Sequence, residues 1–516
     1  MTTAFNSAAL ALASAALYIL YALFIGRSKR PDLPPGPPHI PILGNAHQLP
    51  QLDQHKTFME WAVRYGNIVY AEFFTQPAII ISSTKVAYDL MEKRGARYSN
   101  RPRFVRINEM IGWTGNMGFR QYGDEWKRHR KWYQRGIIAR SAVNSYQPIA
   151  LRQVRHLLHD LLRTPNDFKS HLKRFSASLI FEMGYGHTIQ SLDGDEFMKS
   201  VQGGIREALS GSGSGSAMVD VFPILKFVPA WMPGAGLKRA TLTARDAITA
   251  MEDIPHNAVK ADMAAGVAKP SLTTFMIQDC MNRGPLTKED ESDIKGVSGT
   301  FGNFSLTSMI VFVLVMTQYP EIFEKAQQEL ISVVGENRLP DLGDRASLPY
   351  LECVIREVYR WCPALPTALP HQSADDDIYN GYYIPKGAMI VPNIWAMFRD
   401  PEVYPEPDIF RPERFLGLRL DGESDLRDPK KVVFGFGRRI CPGRYFADNN
   451  VWLAAANITA TMNICKALNS RGEEITPTPE FLSGIVIHPE PFVCNIHPRS
   501  EEIRQLIIDS LNDTGC

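Results

Sequence analysis

Glycines surround a single cysteine near the C-terminal end of the chain. Residues 434 to 443 read Phe-Gly-Phe-Gly-Arg-Arg-Ile-Cys-Pro-Gly, and a helical pattern follows from Arg444 to Met462. Glycine lets a backbone turn tightly and come close to a flat ligand. Pro442 and Gly443 are typical of a helix boundary. The pattern therefore predicts a tight turn that presents Cys441 at the start of a helix.

The surroundings of Cys441 also predict its chemistry. The chain has seven cysteines, which are scattered and show no CxxC spacing. We therefore expect no disulfide or zinc framework. We expect the protein to lie in a reducing compartment. Free amides and the positive end of a helix stabilise a thiolate. A single cysteine is usually an inert buried residue, but these neighbours indicate a metal ligand.

The segment closely resembles the haem-binding loop of the cytochromes P450, whose pattern is Phe-x-x-Gly-x-Arg-x-Cys-x-Gly. All five fixed positions are filled here. The resemblance implies haem b as the cofactor, with Cys441 as the axial ligand of the iron. It also implies that Arg439 pairs with a haem propionate, that Phe434 packs beside the sulfur, and that Gly443 completes the haem-binding loop. Thiolate ligation pushes electron density onto the iron and favours cleavage of the oxygen–oxygen bond.

Two further segments resemble the family, in the order that the family shows. Residues 356–361 (Arg-Glu-Val-Tyr-Arg-Trp) are similar to its Glu-x-x-Arg helix, and residues 410–415 (Phe-Arg-Pro-Glu-Arg-Phe) to its Pro-Glu-Arg-Phe segment. An ordinary exposed pair three residues apart on a helix contributes only about 0.2 to 0.5 kcal/mol. The resemblance implies instead a buried ion network of Glu357, Arg360 and Arg414 that fixes the scaffold below the haem.

Two more haem contacts follow from the resemblance. Residues 126–130 (Trp-Lys-Arg-His-Arg) are similar to the family's Trp-x-x-x-Arg helix, in which Trp126 and Arg130 would bond haem propionates. Without the resemblance, this stretch would be an ordinary basic helix face. His371, which follows a run of prolines, resembles another propionate partner. The resemblance covers nearly the whole chain and is closest to fungal microsomal members.

The periodicity of the chain predicts a mainly α fold with small β-sheets (α+β), as in the cytochrome P450 fold. Residues 150–162 and 321–334 place apolar residues three and four apart, which is typical of helices. Short strand signals occur at residues 68–73, 78–82, 378–384 and 388–392. We expect residues 39–516 to form a single haem-thiolate catalytic domain.

Residues 1–30 predict a membrane anchor. Ala8 to Ile25 is a mainly apolar run of 18 residues, which at about 1.5 Å per residue nearly spans a hydrocarbon core of about 30 Å. Basic residues follow this run at once, which keeps the body of the chain on the cytosolic side. A cleaved signal peptide is the alternative, but no basic residue precedes the run. We expect a single-pass protein of the endoplasmic reticulum membrane with a cytosolic catalytic domain.

Three other segments have unusual composition. Residues 31–38 are rich in proline, which predicts a stiff extended hinge between the anchor and the domain. Residues 210–216 read Ser-Gly-Ser-Gly-Ser-Gly-Ser, which predicts a flexible strap without a stable helix. Residues 222–233 are apolar but interrupted by prolines and too short to span a bilayer. They either fill a core or form a surface that enters lipid headgroups.

The central helix departs from the family pattern Ala-Gly-x-Asp-Thr-Thr, in which an acid and an alcohol supply protons for oxygen activation. Residues 294–309 contain neither Asp nor Glu. Counting back from the end of the helix places Asn303 at the acid, whereas matching Gly302 to the family's glycine places Phe304 there. Both registers keep Ser305 as an alcohol. Asn303 and Ser305 are therefore candidate relay residues, and we expect slow proton delivery and poor coupling of NADPH oxidation to product.

Glycines 296, 299 and 302 recur at three-residue spacing in the same stretch. They could form a flat face by which the helix approaches the haem. Each of them also weakens a helix by up to about 1 kcal/mol.

The 56 basic and 55 acidic residues nearly cancel, so no long-range field attracts nucleic acid. The resemblance implies a haem-thiolate monooxygenase that inserts one oxygen atom from O2 into a lipophilic small molecule, as in fungal secondary metabolism. Its electrons would come from NADPH through a membrane-bound NADPH–cytochrome P450 reductase. Two alternatives stay open. One is a thiolate-haem enzyme that rearranges or uses a peroxide and needs no relay acid, and the other is a non-catalytic haem-binding membrane protein.

Overall fold

The computed structural model describes residues 32–189, 195–210, 214–300, 305–418 and 425–512. The α-helices of these ranges, numbered in chain order, are α1 Gln54–Tyr65, α2 Thr84–Ala87, α3 Asp124–Tyr133, α4 Arg140–Ser145, α5 Gln147–Arg163, α6 Phe168–Tyr185, α7 Glu196–Ser210, α8 Ser214–Val221, α9 Gly236–Ala265, α10 Leu272–Met281, α11 Lys288–Ser298, α12 Ser305–Gln318, α13 Pro320–Val334, α14 Pro349–Trp361, α15 Ile394–Met397, α16 Arg444–Thr461 and α17 Glu501–Asn512. The strands are β1 Ile68–Phe73, β2 Gln76–Ile81, β3 His371–Gln372, β4 Asp377–Tyr379, β5 Tyr382–Ile384, β6 Met389–Pro392, β7 Met462–Leu468, β8 Glu474–Ile475, β9 Phe481–Leu482, β10 His488–Pro489 and β11 Cys494–Pro498.

Helix α12 forms the centre of the main hydrophobic core. Every residue from 307 to 317 is buried, as expected for a helix that is apolar on all sides. It contacts α6, α14 and α16, whose apolar faces complete the same core. The core therefore surrounds the helix that precedes the two segments carrying Glu357 and Cys441.

The sheets are small and lie at the edge of the helical body. The four-stranded sheet has the order β1-β2-β6-β3, in which β2 and β6 are parallel and the other neighbours antiparallel. Its central register places Ile79 opposite Ile390. The remaining strands form the pairs β4–β5 and β9–β10 and the three-stranded sheet β11-β7-β8. The prediction of a mainly α fold with small β-sheets is confirmed.

Most predicted elements match the structure, with one correction among the strands. Residues 150–162 and 321–334 lie within α5 and α13, and β1 has the predicted bounds. Residues 378–384, predicted as one strand, form the hairpin β4–β5 instead. Its turn consists of Asn380 and Gly381, with φ angles of +51° and +82°. Asn-Gly is the sequence that a two-residue hairpin turn favours.

The Ser-Gly repeat is a second correction. Helix α7 extends to Ser210 and α8 begins at Ser214, so the prediction that residues 210–216 hold no helix is wrong for residues 214–216. Residues 211–213 lie outside the described residues. Short helices in proteins are stabilised mainly by packing rather than by propensity. Helix α8 contacts the π-helical turn Val105–Ile111, and its Val219 is fully buried.

The N-terminal anchor predicted at residues 1–30 lies outside the described residues. The proline-rich hinge is described from residue 32 and is docked on the first sheet, where the Tyr70 N–H donates to the Pro35 carbonyl at 3.0 Å. A Cβ on Gly36 would collide with the Tyr70 carbonyl. In the described part of the chain, no single helix has the length and apolarity to cross a bilayer. Helices α12 and α13 together have the required length and apolarity, but the pair is bent by 108° between them.

Glu357 and Arg360 on α14 form a fully buried ion pair. Arg360 Nε and Nη2 donate to the two Glu357 carboxylate oxygens at 2.7 and 2.8 Å, and neither side chain is exposed. Arg414 Nε donates to Glu357 Oε1 at 3.1 Å. Arg360 Nη1 also donates to the carbonyls of Phe398 and Pro407. The structure thus brings the three predicted residues together, and they tie α14 to the chain that leads to Cys441.

We predict that Glu357→Gln lowers the free energy of unfolding by about 3 kcal/mol or more, because two buried guanidinium groups lose their shared carboxylate. The midpoint of urea unfolding, followed by circular dichroism, measures the effect. Glu501→Gln is the control, because Glu501 forms a surface pair with Arg504 and is 74% exposed. Similar stability of the two variants would contradict a structural role for the network.

Candidate active site

Cys441 lies in a turn that its glycines make possible. The Phe434 carbonyl accepts the Cys441 N–H at 2.8 Å. Gly435 and Gly437 have φ angles of +79° and +58°, a region that strains residues with a side chain. A Cβ on Gly437 would also collide with the Met91 carbonyl oxygen. The turn is therefore pressed against the chain that carries Met91, and no larger residue fits at position 437.

Gly443 and two arginines act on the Cys441 sulfur. Gly443 precedes α16 with an ordinary φ of −86°, and its backbone N–H is hydrogen-bonded to the thiol. Burial raises the pKa of the Cys441 thiol, whereas the Gly443 amide, Arg130 and Arg444 lower it, and burial prevails. The predicted influences of amide and charge are thus present but insufficient by themselves. A metal ion on the sulfur deprotonates a coordinating thiol outright.

Arg439 reaches from the Cys441 turn into the interior. Its guanidinium donates to the carbonyls of Ser99 at 2.7 Å, Met117 at 3.2 Å and Arg120 at 2.9 Å. It also lies 4.8 Å from the centre of the Trp126 ring. Burial lowers the pKa of Arg439 to about 10. Its contacts are dipoles and an aromatic face rather than a carboxylate.

Trp126 and Arg130 lie one turn apart on α3 and face the same turn. Arg130 Nη1 donates to the Ile440 carbonyl at 2.7 Å, and burial lowers the pKa of Arg130. The Trp126 side chain is 3% exposed. Among the residues described, its indole N–H finds no acceptor. The two predicted haem contacts therefore meet beside Cys441, with one buried donor unused.

Arg101 belongs to this group, although the sequence analysis did not identify it. It donates to the carbonyls of Gly118 at 2.8 Å, Leu369 at 2.6 Å and Pro370 at 2.8 Å. Burial, and secondarily Arg439, hold the pKa of Arg101 well below its usual range. No local motif marks Arg101, because its neighbours come from distant parts of the chain.

His371 is buried nearby, and its Nδ1 lies 2.6 Å from the Tyr98 carbonyl. Burial, Arg101 and Arg439 hold the pKa of His371 well below its usual range, so the ring is neutral. A neutral ring that donates through Nδ1 presents Nε2 as an acceptor. His371 would have to be protonated before it could donate to a carboxylate, and the two arginines oppose this. It fits the predicted propionate role less well than the arginines do.

Phe434 contributes its carbonyl to the turn, and its ring lies edge-on to Tyr359 with 5.8 Å between the ring centres. Tyr359 in turn donates to Asp448 on α16. These contacts fix the start of the turn against α14 and α16. The described contacts of the Phe434 ring are therefore with the scaffold below the cysteine.

Three guanidinium groups at this site carry positive charge without a neighbouring carboxylate among the described residues. Within the described ranges, no Asp or Glu side chain pairs with Arg101, Arg130 or Arg439. A buried ion without a partner costs several kcal/mol. The arrangement therefore favours a ligand that carries negative charge and lies next to the Cys441 sulfur.

The central helix is described on both sides of the predicted relay. Asn303 and Gly302 lie outside the described residues. Ser305 begins α12, and its side chain is partly buried. Thr300, just after α11, donates through Oγ1 to the Gly296 carbonyl at 2.7 Å and accepts the Met117 N–H at 3.3 Å. Thr300 is thus an alcohol near the site that the sequence analysis missed.

The described glycines of this stretch contact protein segments. A Cβ on Gly296 would collide with the backbone of Gly115. A Cβ on Gly299 would lie 3.3 Å from Glu252 Cγ on α9. The expectation of a flat glycine face toward the haem is therefore wrong for Gly296 and Gly299, which let α11 approach the Gly115 segment and α9.

Nearly the whole chain matches one protein family. The family model described as Cytochrome P450 matches residues 34–495. The chain belongs to the cytochrome P450 family. It is 46% identical to cytochrome P450 monooxygenase 176 of Postia placenta over 100% of both chains. It is 41% identical to monooxygenase 136 of the same fungus, over 93% of this chain and 91% of that one.

A third relative, cytochrome P450 monooxygenase claR of Ampulloclitocybe clavipes, is 38% identical over 96% of this chain and 91% of its own. These relatives are fungal, as the sequence resemblance predicted. This cytochrome P450 is therefore an enzyme of the monooxygenase type. The family implies a haem cofactor.

The site of this P450 fits a haem. A haem presents an iron for the thiolate of Cys441 and two propionate carboxylates for cationic groups. Arg101, Arg130 and Arg439 would hold the propionates, and the Trp126 indole N–H would supply a further donor. When bound through a thiolate, the haem supplies reductive activation of O2 and cleavage of its oxygen–oxygen bond. The donors and charges present are those that such a ligand requires.

We predict that Arg439→Leu weakens haem retention by about tenfold or more, because charge-assisted hydrogen bonds contribute about 1.5 to 3 kcal/mol. The rate of haem transfer to an excess of apomyoglobin measures retention. Arg438→Leu is the matched control, since Arg438 is the next residue and its side chain is exposed. Equal haem loss from both variants would contradict the assignment of Arg439.

Proposed function

We propose that this P450 inserts one atom of O2 into a lipophilic small molecule in fungal secondary metabolism. The observation that carries the proposal is the set of guanidinium groups around the Cys441 turn, which pair with no carboxylate among the described residues. In the overall reaction NADPH supplies two electrons and one proton, and solvent supplies a second proton. One oxygen atom enters a C–H bond to give an alcohol, and the other leaves as water. The fungal monooxygenases to which the chain is similar support this function.

Different residues of the chain would have different roles in catalysis. Cys441 holds the iron from a turn that cannot deform, because Gly437 is pressed against the Met91 carbonyl. The arginines orient the cofactor by its carboxylates. Buried apolar side chains from the π-helical turn Val105–Ile111, α7 and α9 pack together, including those of Ile111 and Met251. An apolar cluster of this kind excludes water, and apolar side chains are those that a lipophilic substrate would contact.

An exposed basic row supports the proposal of a reductase partner. Lys127, Lys131 and Arg135 follow at four-residue intervals along α3 and the turn after it, and all three side chains are exposed. The buried side of the same helix carries Trp126 and Arg130. Lys127 and Arg135 also form surface ion pairs with Asp124 and Asp279. Exposed basic side chains of this kind can exchange such partners for the acidic groups of an electron donor, such as a flavoprotein reductase, which speeds the encounter.

An exposed apolar segment supports the proposal of a location at the endoplasmic reticulum membrane. Ile224, Phe227 and Trp231 are 73%, 71% and 81% exposed, so residues 222–233 do not fill a core. This leaves the second of the two interpretations, a surface that enters lipid headgroups. Together with the anchor predicted at residues 1–30, it would hold the domain on the cytosolic face of the membrane.

The missing acid of the central helix favours one alternative. Residues 294–309 hold no Asp or Glu, and an enzyme that rearranges or uses a peroxide would need none. Such an enzyme would bind haem through Cys441 in the same way but would take no electrons from NADPH. Consumption of NADPH distinguishes the two.

The test of the proposed function begins with Cys441→Ala. This variant should lose the absorption band that a thiolate-ligated haem shows with carbon monoxide, whereas Cys465→Ala, at an exposed cysteine, should keep it. The native protein should oxidise NADPH only when reductase is present. A thiolate band in Cys441→Ala would contradict the ligand assignment. A native protein with this band but without NADPH oxidation, over a range of lipophilic compounds, would favour peroxide chemistry.

We also predict that removal of residues 1–30 releases the protein from membranes only in part. Adding Phe227→Ser and Trp231→Ser should lower its partition onto phosphatidylcholine vesicles at least about tenfold, since each large apolar side chain contributes about 1.5 to 3 kcal/mol when buried. Co-sedimentation measures the partition. Val63→Ser in the same truncated protein is the control, because Val63 is 84% exposed on α1. Complete solubility of the truncated native protein would argue against the second contact.

A further inference from the structure

Two rows of polar side chains meet between α9 and α11. Members of each row are four residues apart, so they lie along one face of their helix. The row on α9 consists of Glu252, His256 and Lys260, and the row on α11 of Glu291 and Lys295, followed by Gly299. The rows are antiparallel, because Lys260 pairs with Glu291 at one end and Glu252 contacts Gly299 at the other.

The outer end of this double row reaches solvent and the inner end does not. The Lys260 and Glu291 side chains are 43% and 29% exposed. His256 is 1% exposed. Both ring nitrogens of His256 lack a hydrogen-bond partner within the part of the chain that the structure describes, and so does Glu252 Oε1. Each buried polar group of this kind costs about 1 to 3 kcal/mol unless it gains a partner.

The inner end is connected to the active site through Gly299, Thr300 and Met117. Gly299, against which Glu252 packs, is followed by Thr300. Thr300 accepts the Met117 N–H, and the Met117 carbonyl accepts a hydrogen bond from Arg439. Glu252 therefore approaches, from α9, the same stretch of the central helix in which the sequence lacks an acid.

We propose that Glu252 is the proton donor of this active site, and that it is reprotonated from solvent through His256 and the Lys260–Glu291 end of the row. This inference rests on the proposed monooxygenase function. Glu252 would supply from α9 the carboxyl group that the family usually places on the central helix. Native coupling of NADPH to product would then be better than the sequence alone predicts.

The charges around Glu252 suit this role. Burial raises the pKa of Glu252 to about 7, with a smaller contribution from Asp253 and opposition from Lys295. Burial lowers the pKa of His256 to about 4, and Lys295 and Lys260 act in the same direction, against Glu291 and Asp253. The buried hydroxyl of Tyr185 also faces Glu252. At neutral pH the carboxyl group is therefore present in both forms, and the imidazole is neutral.

Each catalytic cycle returns Glu252 and His256 to their starting protonation states. Protonated Glu252 gives its proton to the site and becomes a carboxylate. His256 accepts a proton on one ring nitrogen, releases one from the other toward Glu252, and returns to the neutral form. Successive members of the row are one turn apart, about 6 Å along the axis, and lie on the same face of α9. The electrons come from the reductase.

The first experiment observes Glu252 without turnover. Infrared difference spectra of the haem-loaded full-length protein, recorded across neutral pH, should show the C=O band of a protonated carboxylic acid that disappears with a midpoint near pH 7. Glu252→Gln should lack this band. Asp246→Asn should retain it, because Asp246 lies on the same helix but is exposed. Burial also raises the pKa of Asp220, to about 6, so only the band with a midpoint near pH 7 is assigned to Glu252. Persistence of that band in Glu252→Gln, or its absence from the native protein, overturns the proposal.

The second experiment measures proton delivery. With NADPH, reductase, ethoxycoumarin and superoxide dismutase, Glu252→Gln should form about tenfold less product per NADPH than the native enzyme, while the hydrogen peroxide released per NADPH rises toward its limit of one. In the native enzyme this ratio should rise as pH rises through about 7, because the donor is then deprotonated. Glu252→Gln should show no such step. Glu252→Asp, which keeps the acid, should give an intermediate ratio.

The outcomes separate the inference from the proposed function. Carbon monoxide spectra establish that each variant holds its haem, and if Glu252→Gln does not, His256→Gln replaces it and should raise the peroxide ratio. An unchanged ratio and pH profile in a haem-loaded variant overturns the role of Glu252 and leaves the monooxygenase function intact. A native enzyme that oxidises no NADPH with reductase overturns both.

Discussion

Buried positive charge is the constraint on which much of this structure depends. A guanidinium group removed from water needs an anion or a complete set of acceptors, since an unpaired buried ion costs several kcal/mol. Below the site, Glu357 serves both Arg360 and Arg414. At the site, the described neighbours that Arg101 and Arg439 contact are carbonyl oxygens and aromatic rings. The protein thus neutralises one cluster itself, whereas the other cluster suits the carboxylates of a haem.

Close backbone contacts position these charges relative to Cys441. Gly437 is pressed against the Met91 carbonyl, and Gly296 against Gly115. A side chain at any of these glycines would push the segments apart and move the groups that surround the sulfur. Interiors of proteins are closely packed, so such a shift would spread to its neighbours. Glycine therefore serves this site mainly by bringing protein segments together.

The proposed proton supply uses a carboxyl group on α9 instead of one on the central helix. The central helix has no acid near the site, but the helix that packs across it carries Glu252 against Gly299. A carboxyl group can serve the same chemistry from either helix if it is close enough and its pKa lies near the working pH. The small size of Gly299 is what allows α9 to bring an acid to that position.

The sequence by itself determined the family and the helical class, and it predicts Cys441 as the ligand. These depend on patterns within a few residues, such as the glycines around Cys441, the Glu-x-x-Arg spacing of Glu357 and Arg360, and the apolar period of the helices. It did not distinguish a strand from a hairpin at residues 378–384, although Asn380-Gly381 carried the signal. Tertiary structure decided what no local pattern carries. Arg101 joins the arginines near Cys441, Glu252 meets Gly299, and exposed apolar side chains of residues 222–233 face outward. Packing between distant segments sets which side chains become neighbours and which lose their contact with water.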